Sequence, residues 1–381
     1  MAEAMLGVGV FWSLAGVLLT PTMKFYNNML LVFLYLPALW LCLVRSREVG
    51  RLVLMRRELW VFLLLFGWAS LSLFWTEGEF DRLVTFKRIL LFALLVFGWV
   101  IWGRESERRL SLTLSAVVVV SGLYSVAALL WAPYHGHDRL SGFGGFLDNP
   151  NSVGYAVSFI LVMAVPLMPQ RLWARLLWGG LQISSFLYVV QSGSRGALLA
   201  LTTCAIAGLL LVRGRLVKIL FIVLVLGGVG ALCLNPALIM RGDSERLALI
   251  GSALSVFSEN PWMGLGLGTD YQVEGALGRF YDNPHNFLLH TAIQFGLPAL
   301  LVWLLLWGMI GVHAWHCRER ALGKSLLLLW IFSSVAMQFD VFSLWERSRA
   351  IWMMPWGVFL LCLCLSRDLV EKRPEREHLA G

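Results

Sequence analysis

Residues 111–131 form the run SLTLSAVVVVSGLYSVAALLW, which contains no charged side chain. A helix needs about 20 predominantly apolar residues to cross the hydrocarbon core of a bilayer. Arg108 and Arg109 stand one residue before the run, as basic turns do beside membrane spans. This stretch therefore predicts a membrane-spanning helix, and the same pattern recurs along the chain.

The composition of the whole chain supports the same fold class. Of its 381 residues, 59% are hydrophobic and 14% are charged, whereas soluble domains average about 45–50% apolar and about 25% charged residues. A soluble core of this size cannot bury so much apolar surface. The composition excludes a soluble cytosolic enzyme and a disordered chain.

The predicted fold is an all-α integral membrane protein, a single polytopic domain over residues 1–381. Apolar runs with little charge predict about 12 transmembrane helices, because a segment that crosses a bilayer must satisfy its own backbone hydrogen bonds. The predicted spans are residues 5–20, 28–44, 59–75, 85–102, 111–131, 152–168, 175–191, 197–212, 219–235, 298–315, 325–342 and 350–366.

The basic residues predict the orientation of these spans. Lys and Arg concentrate in short cytoplasmic loops, and 20 of the 31 such residues fall on one side of the predicted bundle. They occupy the turns 45–57, 104–109, 171–175, 213–218 and 318–324 and the tail 367–376. Both termini are therefore predicted to be cytoplasmic. The net charge of +8 is explained by orientation, so no nucleic-acid partner is expected.

The longest loop lies on the outer side, over residues 236–297 between predicted spans 9 and 10. Long ordered loops usually carry function, and we expect short interfacial helices here. His285 and Asn286 stand near its end, just before an apolar helical stretch that breaks at Gly296. A histidine side chain can act as a general base near neutral pH, although a local hydrogen-bonding role is also open from spacing alone.

Several outer-side basic residues are not needed for orientation. Arg195 lies in a tight hairpin between two spans, and Arg246 and Arg139 lie in the outer loops; Lys87 and Arg88 stand near the outer end of the fourth span. Guanidinium groups bind phosphate oxygens in a bidentate manner. Arginines that converge at one membrane face therefore favour a diphosphate ligand, while snorkelling to the interface is the alternative for Lys87 and Arg88.

The sequence predicts neither a metal site nor a cofactor. The six cysteines show no zinc-ligand spacing. The acidic residues in segment 77–81 raise a rival hypothesis, a cation-dependent glycosyltransferase, but a solvated acidic turn explains them more simply.

Four motifs, in this order, resemble those of the O-antigen ligase/polymerase superfamily of bacterial inner membranes, specifically the O-antigen ligases. The resemblance covers about residues 130–300 together with the span pattern. The matching residues are Arg139-Leu140-Ser141-Gly142 through Asn149-Pro150-Asn151; Ser194-Arg195-Gly196-Ala197; Arg246 followed by Glu259-Asn260-Pro261 and Gly264-Leu265-Gly266; and His285-Asn286 followed by Gly296.

The resemblance implies a GT-C-like architecture and an inverting, metal-independent glycosyl transfer at the periplasmic face of the inner membrane. The donor would be O-antigen on undecaprenyl diphosphate and the acceptor a sugar hydroxyl of lipid A–core oligosaccharide, both among membrane lipids. His285, Arg195 and Arg246 would be catalytic. Arg139, Lys87, Arg88 and Asn286 would bind substrate.

Two other functions stay open at this point. An O-antigen polymerase or a protein O-oligosaccharyltransferase of the same superfamily would use the same residues. A lipid or polysaccharide transporter is the alternative from another class, but transporters place ionisable residues near mid-span, and the predicted spans are nearly free of charge.

Overall fold

The computed structural model describes residues 1–78, 81–135, 139–211, 243–276, 278–340 and 350–365, with Leu344 and a few residues between 218 and 230. Helices dominate these residues, which agrees with the predicted all-α membrane class. The short strands form two antiparallel pairs, β1 with β2 and β3 with β4. Most of predicted span 9 and the first residues of the large outer loop lie outside the described residues.

The N-terminal half contains seven helices, numbered here over the described residues. They are α1 (Ala2–Leu19), α2 (Met23–Val44), α3 (Ser46–Met55), α4 (Arg57–Ser72), α5 (Arg82–Gly103), α6 (Glu107–Trp131) and α7 (Pro150–Ala164). The pair β1 (Tyr134–His135) and β2 (Arg139–Leu140) lies between α6 and α7.

The C-terminal half continues with helices and the second strand pair. These elements are α8 (Leu172–Ser192), α9 (Arg195–Leu211), α10 (Asp243–Glu259), β3 (Val273–Glu274), β4 (Phe280–Tyr281), α11 (Phe287–Cys317), α12 (Ala321–Ala336) and α13 (Ala350–Cys364).

Polar caps begin many of these helices. The side chains of Thr22, Asp81, Ser106 and Asn286 each accept a hydrogen bond from a backbone N–H in the first turn of the helix that follows. Such caps satisfy donors that the helix itself leaves without a partner. Local sequence thus sets where α2, α5, α6 and α11 begin. Apolar packing holds the helices together.

Six of the described helices are long and apolar enough to cross a membrane: Ala2–Leu19, Met23–Val44, Arg82–Gly103, Glu107–Trp131, Pro150–Leu167 and Phe287–Cys317. Three shorter apolar helices accompany them: Arg195–Leu211, Ala321–Ala336 and Ala350–Cys364. Nearly every residue of α7 is buried, and α7 packs against α6, α8, α9 and α12. The protein is therefore a multi-pass helical membrane protein with α7 at its centre.

The break in α11 lies where the sequence predicts it. Gly296 has φ 73° and ψ 179°, and Pro298 follows within the helix. The freed carbonyl oxygens of Ile293 and Gln294 accept hydrogen bonds from Leu265 N and Gly266 N, each at 2.8 Å. A Cβ on Gly264 would stand 2.5 Å from the backbone of Gln294. The glycine-rich turn that contains Gly264 and Gly266 thus packs into the break of α11. Because the two backbones approach so closely, glycine is needed both in the turn and at Gly296.

A second, smaller core lies beside the main bundle. Leu249 and Ala253 of α10, Val273 of β3 and Ile293 of α11 are buried together. This core holds α10, the β3–β4 hairpin and the first part of α11 as one packed unit. The unit fixes the position of the chain that follows the hairpin, where His285 lies.

Candidate active site

His285 lies in a constrained turn between β4 and α11. Its backbone φ is 49°, in the left-handed region that residues other than glycine rarely occupy. Asn283 Oδ1 accepts a hydrogen bond from His285 N at 3.0 Å, and Asn286 Oδ1 accepts one from Leu289 N at 3.0 Å. Side chains on both sides of His285 therefore hold its backbone in place directly before the helix.

The imidazole of His285 is paired with a carboxylate. Its Nδ1 lies 3.0 Å from Asp340 Oδ1, and the two side chains are 35% and 21% exposed. A carboxylate that accepts the proton of Nδ1 leaves Nε2 as the nitrogen that can take up another proton. The ring of Tyr281 meets the imidazole edge-on at 5.9 Å. This is the arrangement of a base held by an orienting group.

The segment that carries Asp340 is tied directly to the start of α11. Phe287 N donates to Met337 O at 2.9 Å, and Asn286 Nδ2 donates to Gln338 Oε1 at 3.1 Å. Both polar ends of Asn286 therefore make contacts inside the protein. These contacts position the two chain segments that hold His285 and Asp340.

Arg246 lies beside the same segment. It is an exposed residue in the first turns of α10, and its guanidinium carbon stands 4.8 Å from the centroid of the Phe339 ring. Its neighbour Glu245 accepts a hydrogen bond from Tyr281 Oη at 2.9 Å, which raises the pKa of Tyr281 above its ordinary value. The guanidinium of Arg246 thus lies over the ring of Phe339, the residue directly before Asp340 in the chain.

Arg195 begins α9, after a hairpin whose tight turn requires glycine. Gly193 closes α8 in the left-handed conformation with φ 61°. A Cβ on Gly196 would stand 3.0 Å from Phe339 Cβ. The half-buried Arg195 is therefore in a hairpin that packs on Phe339, so the segments of Arg195, Arg246 and His285 all meet at residues 339–340.

Arg139 supports this hairpin from the other side. Its Nε donates to Ser192 O at 2.8 Å, and its Nη2 donates to Asn151 Oδ1 at 2.5 Å. The guanidinium also lies against Gly193. Arg139 therefore connects the β1–β2 pair and α7 to the turn that precedes Arg195.

Lys87 and Arg88 line a separate groove. Both are exposed on α5 and face a cavity of about 490 Å³. The cavity has polar and apolar walls from α2, α5 and α13, which include Lys24, Asn27, Asn28, Tyr35, Leu91, Phe92, Trp352 and Trp356. Within the described part of the chain, this groove shares no lining residue with the His285 cluster.

Asp340 is the site residue that sequence reasoning did not assign. Its only signal is a carboxylate at the outer end of an otherwise apolar run, the kind of residue that marks functional positions in membrane proteins. Because 55 residues separate it from His285, the pairing is visible only in the fold. The acidic segment 77–81 lies partly outside the described residues.

Residues 180–304 match the family model described as O-antigen ligase. No curated protein matches the chain. The matched region contains Arg195, Arg246, His285 and Asn286, and it supports a function of the O-antigen ligase/polymerase type on lipid-linked or polysaccharide substrates. The resemblance predicted from the motifs is confirmed at the level of the superfamily.

Proposed function

We propose, from the match of residues 180–304 to the O-antigen ligase family model, that this protein transfers O-antigen from undecaprenyl diphosphate to lipid A–core oligosaccharide. The reaction is an inverting glycosyl transfer that requires no metal ion. The observation that carries the proposal is the meeting of a histidine–carboxylate pair with two arginine-bearing segments at residues 339–340. A base and a diphosphate-binding group are the two parts that this chemistry needs.

The base in this proposal is His285. The acceptor is a weakly acidic sugar hydroxyl, whose oxygen forms the new bond to the anomeric carbon of the donor. Its proton passes to Nε2 of His285, while Asp340 holds Nδ1 and stabilises the imidazolium that forms. The exposed part of the His285 ring supports this role because an acceptor must reach Nε2.

Arg195 and Arg246 act on the leaving group. The bond between the anomeric carbon and the diphosphate oxygen breaks, so negative charge grows on undecaprenyl diphosphate. Fixed guanidinium groups stabilise charge where it develops in the transition state, and their planar forks suit phosphate oxygens. The stacking of Arg246 on Phe339 supports this role because it restricts the side chain before substrate arrives.

The remaining predicted residues have supporting roles in the proposal. Arg139 holds the Arg195 hairpin, and Asn286 holds the segment of His285, so both act on substrate through their neighbours. Lys87 and Arg88 contribute charge to the α5 groove, whose mixed walls suit the headgroup and first part of the chain of a lipid substrate. The groove thus supplies binding, while the cluster at residues 339–340 supplies chemistry.

The topology that suits this function is a bundle of about 12 spans with GT-C-like architecture in the bacterial inner membrane. Both termini are cytoplasmic, and loop 236–297 lies between spans 9 and 10 in the periplasm. Within the loop, α10 and the first part of α11 are the interfacial helices. The accessibility of a cysteine added near residue 274 and of one added near residue 105 would test which side of the membrane each segment occupies.

The test of function is a reconstituted transfer assay with purified protein, undecaprenyl diphosphate-linked glycan and lipid A–core acceptor. We expect product to form in the presence of EDTA. Elongation of the donor glycan without transfer to lipid A–core would assign a polymerase, and transfer to a peptide hydroxyl would assign a protein glycosyltransferase. Either result would overturn the proposed acceptor.

A further inference from the structure

A second cluster of reactive side chains lies inside the bundle, formed by residues far apart in sequence. Glu58 is near the start of α4, His313 is near the end of α11, and Cys362 is near the end of α13. One ligand atom from each lies within 4.8 Å of the others. All three residues are buried, so no substrate from solvent reaches them.

Cys317 provides a second thiol beside the cluster. It is buried and lies one turn after His313 on α11, which places the two side chains next to each other on the same face of the helix. His313 Nδ1 lies 3.3 Å from Glu58 Oε1. The set therefore comprises one carboxylate, one imidazole and two thiols from three helices.

This cluster is distinct from the candidate active site. His313 follows the Gly296 break by 17 positions on the same helix, and a helix rises about 1.5 Å per residue, which gives roughly 25 Å of separation. The cluster lies at the end of α11 next to the basic turn with Arg318 and Arg320. It is thus at the opposite end of the bundle from His285.

The buried His313 ring has a polar atom without a partner. Its Nε2 is shielded from solvent and makes no hydrogen bond to the described residues. A buried polar group without a partner destabilises a fold. An ion pair between Glu58 and His313 uses only Nδ1 of the imidazole. Nε2 and the two nearby thiols take no part in it, so the ion pair alone does not explain why these side chains are buried together.

We propose that Glu58, His313, Cys317 and Cys362 bind a divalent cation of the zinc class. Nitrogen, sulfur and carboxylate oxygen in a set of four are the ligands that Zn²⁺ takes in tetrahedral sites. Binding requires that both thiols lose their protons to solvent. Glu58 either completes the ligand set or orients the ring through Nδ1 while Nε2 faces the ion.

The surrounding charges suit such an ion. A divalent cation with two thiolates and one carboxylate carries a net charge of −1. Arg320 Nη2 lies 3.4 Å from Cys317 Sγ, and Arg56 acts electrostatically on both Glu58 and Cys362. These arginines offset the negative charge of the ion with its ligands.

The bound ion would link the ends of three helices. Arg56 Nη2 already donates to Leu365 O at 3.0 Å, which joins the start of α4 to the end of α13 beside the cluster. A metal bound by α4, α11 and α13 strengthens the same junction. The role is structural, and the site is independent of the proposed transfer reaction.

The test is metal analysis of the full chain, purified in detergent with an affinity tag that contains no histidine. We expect about one equivalent of zinc per chain, as in a four-ligand structural site. Growth with Co²⁺ in place of zinc should give protein with a thiolate-to-cobalt absorption band in the near ultraviolet. Both signals should fall at least fivefold in Cys362→Ser.

The matched control is Cys204→Ser, which removes a buried thiol on α9 and leaves the cluster intact. It should keep zinc and the cobalt band. If Cys362→Ser fails to fold, Glu58→Gln replaces it, and we expect weakened metal retention during dialysis against chelator. Folded wild-type protein that shows no cobalt band and no more zinc than the variants would overturn the proposal.

Discussion

One histidine paired with a carboxylate lies just before the start of α11 and another lies near its end, and the two pairs differ in their surroundings. His285 and Asp340 are 35% and 21% exposed and lie beside Arg246 and the Arg195 hairpin. His313 and Glu58 are 0% and 6% exposed and lie beside the thiol of Cys362. We propose that the same pair of groups serves proton transfer where substrate has access, and structure where it does not.

Removal of the exposed imidazole should have the largest effect on transfer. General-base catalysis contributes about 10²–10⁴-fold, so His285→Ala should lower the rate of glycan transfer by that factor while donor binding persists. The measurement is single-turnover transfer with radiolabelled donor. His316→Ala, at the exposed far end of α11, is the control and should behave as wild type. Near-normal transfer by His285→Ala would end the assignment of the base.

Replacement of Arg195 or Arg246 should have the second-largest effect on transfer. One stabilising donor is worth about 10²–10³-fold in kcat, and we expect losses of that size for Arg195→Ala and Arg246→Ala. Arg195→Lys should also be impaired because a point charge replaces a fork. The matched control is Arg318→Ala, since Arg318 stacks on Trp315 at 4.2 Å as Arg246 does on Phe339. Equal activity of Arg195→Lys and wild type would contradict bidentate phosphate binding.

The carboxylates offer the sharpest contrast between the two pairs. Asp340→Asn should lower kcat by about 10²-fold, at the lower end of the contribution of a general base, with KM nearly unchanged, because it acts only through the base. The dependence of kcat on pH should also change. Glu58→Gln should leave kcat per folded molecule within about twofold and lower the thermal unfolding temperature. A Glu58→Gln protein with normal stability and impaired kcat would reverse the two roles.

The smallest effect is expected in the α5 groove. A basic residue near a membrane surface contributes about 1 kcal/mol to binding of anionic lipid, which corresponds to about a fivefold increase in KM for the lipid donor in Lys87→Ala or Arg88→Ala. The value of kcat should be unchanged. Arg82→Ala, on the same helix but outside the groove, is the control. A fall in kcat alone would place Lys87 and Arg88 in the chemistry.

Much of the fold follows from local features of the sequence. Charge-free runs such as 111–131 become helices because the backbone must satisfy its own hydrogen bonds, and caps such as Asp81 and Asn286 set where helices begin. The break at Gly296 is also visible in the sequence, since Pro298 removes a backbone donor and glycine permits the positive φ. These are effects of neighbours along the chain.

The remaining features depend on contacts between distant segments. The partner of Gly296 is the turn at residues 262–264, and no local pattern links the two. The carboxylates of Asp340 and Glu58 lie 55 and 255 residues from the histidines that they contact. A sequence predicts which side chains are capable of chemistry, but helix packing decides which of them meet and how much solvent reaches them.

The most direct test of the active-site proposal is a cryo-EM structure of the protein with undecaprenyl diphosphate bound. We predict phosphate oxygens within hydrogen-bond distance of the guanidinium groups of Arg195 and Arg246, with Nε2 of His285 facing the space that the first sugar would occupy. A diphosphate held by Lys87 and Arg88, too far from His285 for one sugar to bridge, would contradict it.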